Sequence, residues 1–519
     1  GLYSNTFMDD RLGVSISASY QERESGLRQF LQDQGYRASP NDFTDWGGAP
    51  AAPEGGVGRP AAGTDGIYSV PQQPRYIFEE RQRERINGQL VLQYAPIDDL
   101  TLTLDYTMVE NTYETQHFDV SAWFNYSDDR NDSVWAGDPD DNSWPVVYSE
   151  IYPEATRDTS LTVGDYGNRE EMDSIGFNVD WQATDQLSFE FDVHTSDGKR
   201  SATDPRKGTR NNLQLPSYTR GQSALDLSGG LPGIGIGATD VQNFNPQTLQ
   251  LSGSWFQNHL YETGVDQVQF KGKFEFADDM SIDFGLSHDK VSNHLRFVSV
   301  ERPDWGGVGA PGDFAGINWT ERSVLDAFQD APGNFGAITN QTGGEPYALL
   351  DRIWFADFDQ IVAAAEAADP TFNTTGNIAG DCMASADGAG NAQGRGQFCA
   401  STDFDFGRNE FTEEKTLSAF VQFHKEGELN GYPYDLHVGL RQERTDVYSS
   451  ASSPVYNQVV WSEATQAALN GDGDVAKLDK EADYSVFLPS LNFNISPSED
   501  FKIRTAFGKT ISRAAYTDL

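Results

Sequence analysis

The sequence predicts an all-β protein, a transmembrane antiparallel up-and-down β-barrel, on three observations. Strict apolar/polar alternation recurs in about eleven runs, the connections between runs are alternately short and long, and no stretch is long and apolar enough to cross a membrane as a helix. Residues 1–519 are read as one barrel domain.

The alternation is clearest at residues 83–108. Ile86, Gly88, Leu90, Leu92 and Tyr94 share one face, and Leu100, Leu102, Leu104, Tyr106 and Met108 share one face of the next run. Asn87, Gln89, Gln93, Thr101, Thr103, Asp105 and Thr107 fill the opposite faces, with Val91 the exception. A period of two means strand. Each run is about 9 to 11 residues, what a tilted strand needs to cross a bilayer and more than the roughly 5 to 6 usual in soluble sheets. The break from Ala95 to Asp99 suits a tight turn, so the unit is a hairpin with one apolar and one polar face.

A first strand at 11–21 places Leu12, Val14, Ile16, Ala18 and Tyr20 on its apolar face. The hairpin recurs as Ile175–Trp181 with Leu187–Val193, as Val268–Phe276 with Met280–Leu286, and as Leu417–Phe423 with Leu436–Leu440 across Asn430 and Gly431. It recurs last as 484–495 with Phe501–Phe507, where Pro489 predicts a bulge or phase shift. Long loops are predicted at 22–80, 111–170, 197–264, 295–412 and 447–482, the fourth with a short helix near 355–368. A soluble sandwich also has one apolar face per strand, but has no reason to gather its long loops at one end; outer-membrane barrels do. Tyr94 and Trp181 lie beside short turns, as an aromatic girdle would. Lys271, Lys273, Glu275, Arg441, Glu443 and Arg504 fall on polar faces, which a filled or watery interior tolerates.

The formal net charge of −42 and the mean hydropathy of −0.56 exclude a nucleic-acid partner and argue against helical membrane spans. Cys382 and Cys399 sit in one Gly-, Ala- and Asp-rich segment without nearby histidines, poor spacing for a metal. A disulfide closing a surface loop in an oxidising compartment is the preferred reading, with two free loop thiols as the alternative. No signal peptide or initiator Met opens the chain, and Leu519 follows closely on a strand, so a fragment is expected.

Three stretches carry a resemblance: GLYSNTFMDDRLGVSISASYQERES at the start, GLRQERTDVYSS at 439–450, and FLPSLNFNISPSEDFKIRTAFGKTISRAAYTDL at 487–519. They resemble strands of the TonB-dependent receptor family of Gram-negative outer membranes, especially its Caulobacter- and Xanthomonas-like branch. One departure is Arg513-Ala514, where the family usually has Arg-Pro. The resemblance implies a barrel of about 22 strands with a plugged lumen. About eleven would be present here, without the plug domain and the closing strands. It implies a monomeric outer-membrane receptor for a scarce nutrient, an oligosaccharide or a ferric siderophore, energised through the TonB complex by way of the plug. The acidic loops lean mildly against anionic siderophores.

No catalytic constellation and no cofactor are expected. GIGIG at 233–237 lacks nucleotide-loop spacing and is read as a flexible loop. Asp128 with Asp129, Asp140 with Asp141, and NGDGD at 470–474 are read as solvated loop charge rather than glycosidase carboxylates or calcium ligands. His194, His424 and His437 fall on polar strand faces and are read as polar lining rather than haem ligands. Nine of the ten tryptophans lie in assigned loops, so loop aromatics are the candidate ligand contacts: Trp123, Trp135, Trp144, Tyr152 and Trp305. Packing of the loops on one another is the competing use. The alternative function is a soluble secreted β-rich carbohydrate-binding protein or glycosidase, its apolar faces forming a sandwich core.

Overall fold

In the computed structural model, the described residues are 1–40, 67–125, 133–138, 141–153, 155–328, 345–368, 398–402, 404, 408–455, 457–463, 466–470 and 475–512. Strand makes up 75% and helix 6%, and the long strands pair antiparallel, so the fold is all-β. The elements are β1 (Leu2–Phe7), β2 (Leu12–Pro40), β3 (Ile67–Ile97), β4 (Leu100–Ser121), β5 (Val134–Gly137), β6 (Asn142–Ile151), β7 (Arg157–Thr184) and β8 (Leu187–Ala202). They continue as β9 (Arg210–Arg220), β10 (Gln222–Asp226), β11 (Gly233–Gly237), α1 (Ala238–Asn243), β12 (Leu251–Ala277), β13 (Met280–Val308), β14 (Thr320–Arg322) and α2 (Val324–Ala327). The remainder are β15 (Tyr347–Leu349), β16 (Ile353–Phe355), α3 (Phe358–Ala368), β17 (Arg408–Leu429), β18 (Tyr432–Pro454), β19 (Gln458–Glu463), β20 (Gln466–Asn470), β21 (Val475–Ser498) and β22 (Phe501–Gly508).

An antiparallel meander runs β1-β2-β3-β4-β7-β8-β12-β13-β17-β18-β21-β22. Among the described residues no pairing joins β22 back to β1. The meander has one strand more than the alternation predicts. In β1, Leu2 and Tyr3 lie on opposite faces, so no apolar face announces it; the ladder to β2 holds it.

Two residues connect each of five hairpins: Asp98-Asp99, Asp185-Gln186, Asp278-Asp279, Asn430-Gly431 and Glu499-Asp500. Asn430 and Gly431 both take positive φ, 55° and 81°, as a two-residue type I′ turn demands. At the other end the strands run far beyond the alternating segments. β3 has 31 residues, ~100 Å at about 3.3 Å per residue, and much of what was expected as loop at 22–80 and 111–170 is strand. Polar stretches such as QERESGLRQ at 21–29 lack alternation, yet their backbone groups pair as well as any others.

Where β8 ends, β9 takes its place between β7 and β12. GIGIG, expected as a flexible loop, is the buried strand β11, paired to β10 and β15. The expected helix forms as α3. No shift occurs at Pro489, which pairs with Leu440 in register. Its carbonyl accepts from Lys509 N (3.1 Å), so its imino side also faces β22, where pairing is ending and an N–H is least missed. The shift lies instead between Ile495 and Ser498.

Core packing is confined to the long-loop half. Tyr76, Phe78, Phe118, Val120, Leu161, Val163, Leu213 and Leu215 are buried against Phe314, Phe355, Phe358 and Ile361. The Phe118 and Phe355 rings lie 4.5 Å apart. On β3, β4 and β7 these residues belong to the same alternating set as Ile86, Leu104 and Ile175 nearer the short turns, and no register shift separates the two groups. Each such face therefore carries two apolar zones, one covered by the chain's own loops and one exposed toward the short turns, with a polar interval between them.

Leu213→Ala, fully buried where β9 fills the sheet, should cost about 2 to 5 kcal/mol in chemical denaturation followed by tryptophan fluorescence. Val459→Ala, exposed on β19, should change stability by less than ~0.5 kcal/mol.

Candidate functional site

The polar faces of β3 and β4 meet in a buried charge network. His117 Nδ1 is 3.0 Å from Glu79 Oε1 and its Nε2 is 2.9 Å from Asp119 Oδ2. Arg75 binds Asp119 at 3.3 Å and Asp33 at 2.6 Å, and Arg81 pairs with Glu79. Arg83 donates to Asn111 (2.8 Å), which donates to Glu170 (3.0 Å). Burial works against a charged imidazole, but the hydrogen bonds to Asp119 and Glu79 outweigh it and push His117 up to about 9. The hydrogen bond from His117 in turn holds Glu79 below the ordinary carboxylate range, against its own desolvation. The result is a fixed, charge-balanced network in which Arg75, Arg81, Arg83 and His117 stand beside Asp33, Glu79, Asp119 and Glu170.

A second polar feature lies on the other face of the same strands. Gly26, Glu80, Gln116 and Asp165 pair in one row across β2, β3, β4 and β7. They line a cavity of about 710 Å³ together with Arg28 and Lys207. Lys207 Nζ reaches Asp165 at 2.6 Å and Asp359 at 3.3 Å. Although burial opposes its charge, the hydrogen bond to Asp165 raises its pKa. Gly167 at the cavity edge is obligatory: a Cβ there would lie 2.1 Å from Thr203 Oγ1 and 2.9 Å from the Tyr113 carbonyl. The lining of mixed charge and amide suits a ligand with many hydroxyls or a zwitterionic head.

The predicted aromatic contacts separate. Trp135 is 2% exposed, packed with Phe124 and Tyr148 in a small loop core. Tyr152 is buried and donates to Glu150 Oε2 (2.8 Å); Tyr148 donates to Oε1 (2.8 Å). Burial raises the Glu150 pKa despite both bonds and nearby Arg220, whose guanidinium donates to the carbonyls of Trp123 (2.7 Å) and Asp158 (2.8 Å). Trp144 is 51% exposed and Trp123 is half-buried, so these two can meet a ligand without the loop core opening. Trp305 lies within the backbone of β13 rather than in a loop. Cys399 is buried and disulfide-bonded; Cys382, the chain's only other cysteine, lies outside the described residues, as do Asp128, Asp129, Asp140, 471–474 and Arg513.

One group among the described residues has the donors to hold a metal: His424, Asp435 and His437. His424 and His437 face each other across the β17–β18 hairpin, and Asp435 Oδ2 lies 2.9 and 3.0 Å from their Nε2 atoms. Reading the two histidines singly missed this, although the Asn430-Gly431 turn fixes the register that makes them partners. Compared with known proteins, the chain matches no family model and no curated protein.

The His117 pKa is raised on folding, so its contribution is fully present below about pH 6.5 and is lost as pH rises through about 9. Chemical denaturation across that window should show stability falling by roughly 3 kcal/mol at most, and His117→Gln should flatten the slope.

Proposed function

We propose that the chain is the barrel region of an outer-membrane receptor that takes up a scarce nutrient, an oligosaccharide or a ferric siderophore, with energy coupled through TonB. The observation that carries this reading is inverted burial. On β17, Thr416 and Ser418 are 3% and 2% exposed while Leu417 between them is 60% exposed. Thr445, Glu443, Ser287 and Ser281 are likewise buried, and Leu286, Val421, Leu440 and Phe487 are exposed. In water this arrangement is unfavourable on both faces; against hydrocarbon the exposed leucines are stable and the polar groups are correctly turned inward.

The exposed apolar residues stop at one level on successive strands. Outward-facing Glu84, Glu110, Asp173, Asp266, Lys290 and Lys415 follow Ile86, Met108, Ile175, Val268, Leu286 and Leu417 at or near the next outward position. On β4 the band covers Leu100 to Met108, about the 9 residues of a membrane-crossing strand. Tyr94 and Trp181 lie near its short-turn edge. Short turns at one end and elaborated loops at the other match the periplasmic and extracellular ends of such barrels. A soluble carbohydrate-binding sandwich would need a second layer over the band, and the described residues supply none there.

Uptake is supported by the polar inner face and by the ordered loop cap, which offers exposed Trp144. Both substrate classes stand, with the acidic loops leaning mildly against an anionic ferric siderophore. In this reading the receptor is a monomer in outer-membrane lipid, reaching the TonB complex through the plug that the family resemblance implies.

Single-cysteine labels at Leu417→Cys and Ser418→Cys test the orientation. A fluorophore at 417 should be quenched by bromolipid and one at 418 should not; a protein soluble without detergent, with position 417 quenched only from water, would overturn the barrel. For the substrate, the full-length gene expressed in an outer membrane should bind one class of ligand saturably, weakened several-fold by Trp144→Ala. Binding of neither oligosaccharides nor ferric siderophores would refute nutrient uptake.

A further inference from the structure

We infer that His424, Asp435 and His437 form a binding site for a divalent first-row transition-metal ion at the short-turn end of the polar face. The two imidazole rings stack with centroids 4.2 Å apart and planes 13° apart, so both Nε2 atoms point the same way, at one oxygen of one carboxylate. Two ring nitrogens and one carboxylate oxygen, the atoms a transition metal takes as ligands, are thereby gathered in one place. A cation held between the three atoms would take one bond from each. Metal–nitrogen and metal–oxygen bonds of about 2.0 to 2.2 Å place neighbouring ligand atoms roughly 3.3 Å apart, so the present 2.9 and 3.0 Å need to open by only a few tenths of an ångström.

The supporting groups are also in place. Asn494, paired with Asp435 across β18 and β21, donates to the second carboxylate oxygen at 2.8 Å and fixes its plane. Gln422 lies 3.2 Å from His437 Nδ1; with its amide turned by half a rotation, its carbonyl accepts the Nδ1–H that a metal-bound imidazole must carry. Glu426 Oε1, 3.5 Å from His424 Nε2, is a fourth donor within reach. The three side chains are partly exposed, leaving room for water at remaining positions. Two imidazoles and a carboxylate favour zinc, cobalt or nickel over calcium or magnesium, whose shells are oxygen alone. The bound ion would staple β17 to β18 on the face that lines the interior.

Cobalt chloride and zinc chloride, titrated into the metal-stripped full chain in detergent, test the site. One equivalent of cobalt should bind saturably with a visible d–d band, zinc should displace it, and zinc should raise the unfolding temperature. His424→Gln and His437→Gln, which keep size and polarity, should each abolish the band and the thermal shift. Gln422→Leu should weaken binding by about tenfold, and His194→Gln on the same polar face should change nothing. Absence of saturable binding, or equal affinity in wild type and the folded His437→Gln variant as exposed carboxylates would give, overturns the assignment.

Discussion

The uninterrupted ladder between β3 and β4 is the constraint on which the rest of the molecule depends. From Arg75 opposite Ser121 to Tyr94 opposite Leu102 the pairing runs without a shift, and β4 continues against β7 in the same way from Leu100 to Ser121. A period of two admits no compromise: one residue of slip would turn every outward side chain inward. Whatever environment suits Leu104 therefore fixes the face on which Phe118 must lie, seven pleat repeats away. The chain cannot reassign faces along a strand without a bulge, and it makes none there.

That rule explains the division of labour along the strands. Tyr76, Phe78, Phe118, Val120, Leu161 and Val163 continue the apolar face past the charged level marked by Glu84, Glu110 and Asp173. Left in water, such side chains would each cost about 1.5 to 3 kcal/mol relative to burial. The long connections fold back over them instead, through Phe314, Phe355 and α3. The 710 Å³ cavity occupies the interval between the two apolar zones, where Glu80, Gln116 and Asp165 belong to neither.

Legibility in the sequence follows the same physics. Hairpins whose residues alternate, such as Leu417–Phe423 with Leu436–Leu440, are readable because burial on one side imprints period two. β1 and the upper parts of β2 and β7 are not, because backbone pairing leaves no mark on side-chain polarity. GIGIG, with no side chain on alternate residues, has the composition of a loop and the structure of a buried strand because β10 and β15 satisfy it from both sides. Trp135 and Tyr152 could be recognised as aromatic but not as buried: the carboxylate that holds Tyr152, Glu150, is itself hidden only by the fold. His424 and His437 required pairing, not pattern, since their partnership exists across a turn rather than along a strand.

The polar face shows how a largely polar surface can still be specific. Ser287 and Ser418 bond across paired strands at 2.7 Å, as do Thr416 and Thr445 at 2.9 Å, and each satisfies a hydroxyl that burial would otherwise penalise. Where such neutral pairs give way to charge, around His117 and around Asp435, the groups are again arranged so that each carboxylate meets a cation or a ring nitrogen. The difference between the two clusters is geometric. Glu79 and Asp119 flank His117 from opposite ring nitrogens, which favours a proton on each and so the imidazolium. His424 and His437 approach Asp435 from one side, which brings one nitrogen of each ring to a single carboxylate oxygen. One histidine held between two carboxylates thus makes a structural ion pair at the loop end of the sheet, and two histidines sharing one carboxylate make the proposed metal site at the turn end.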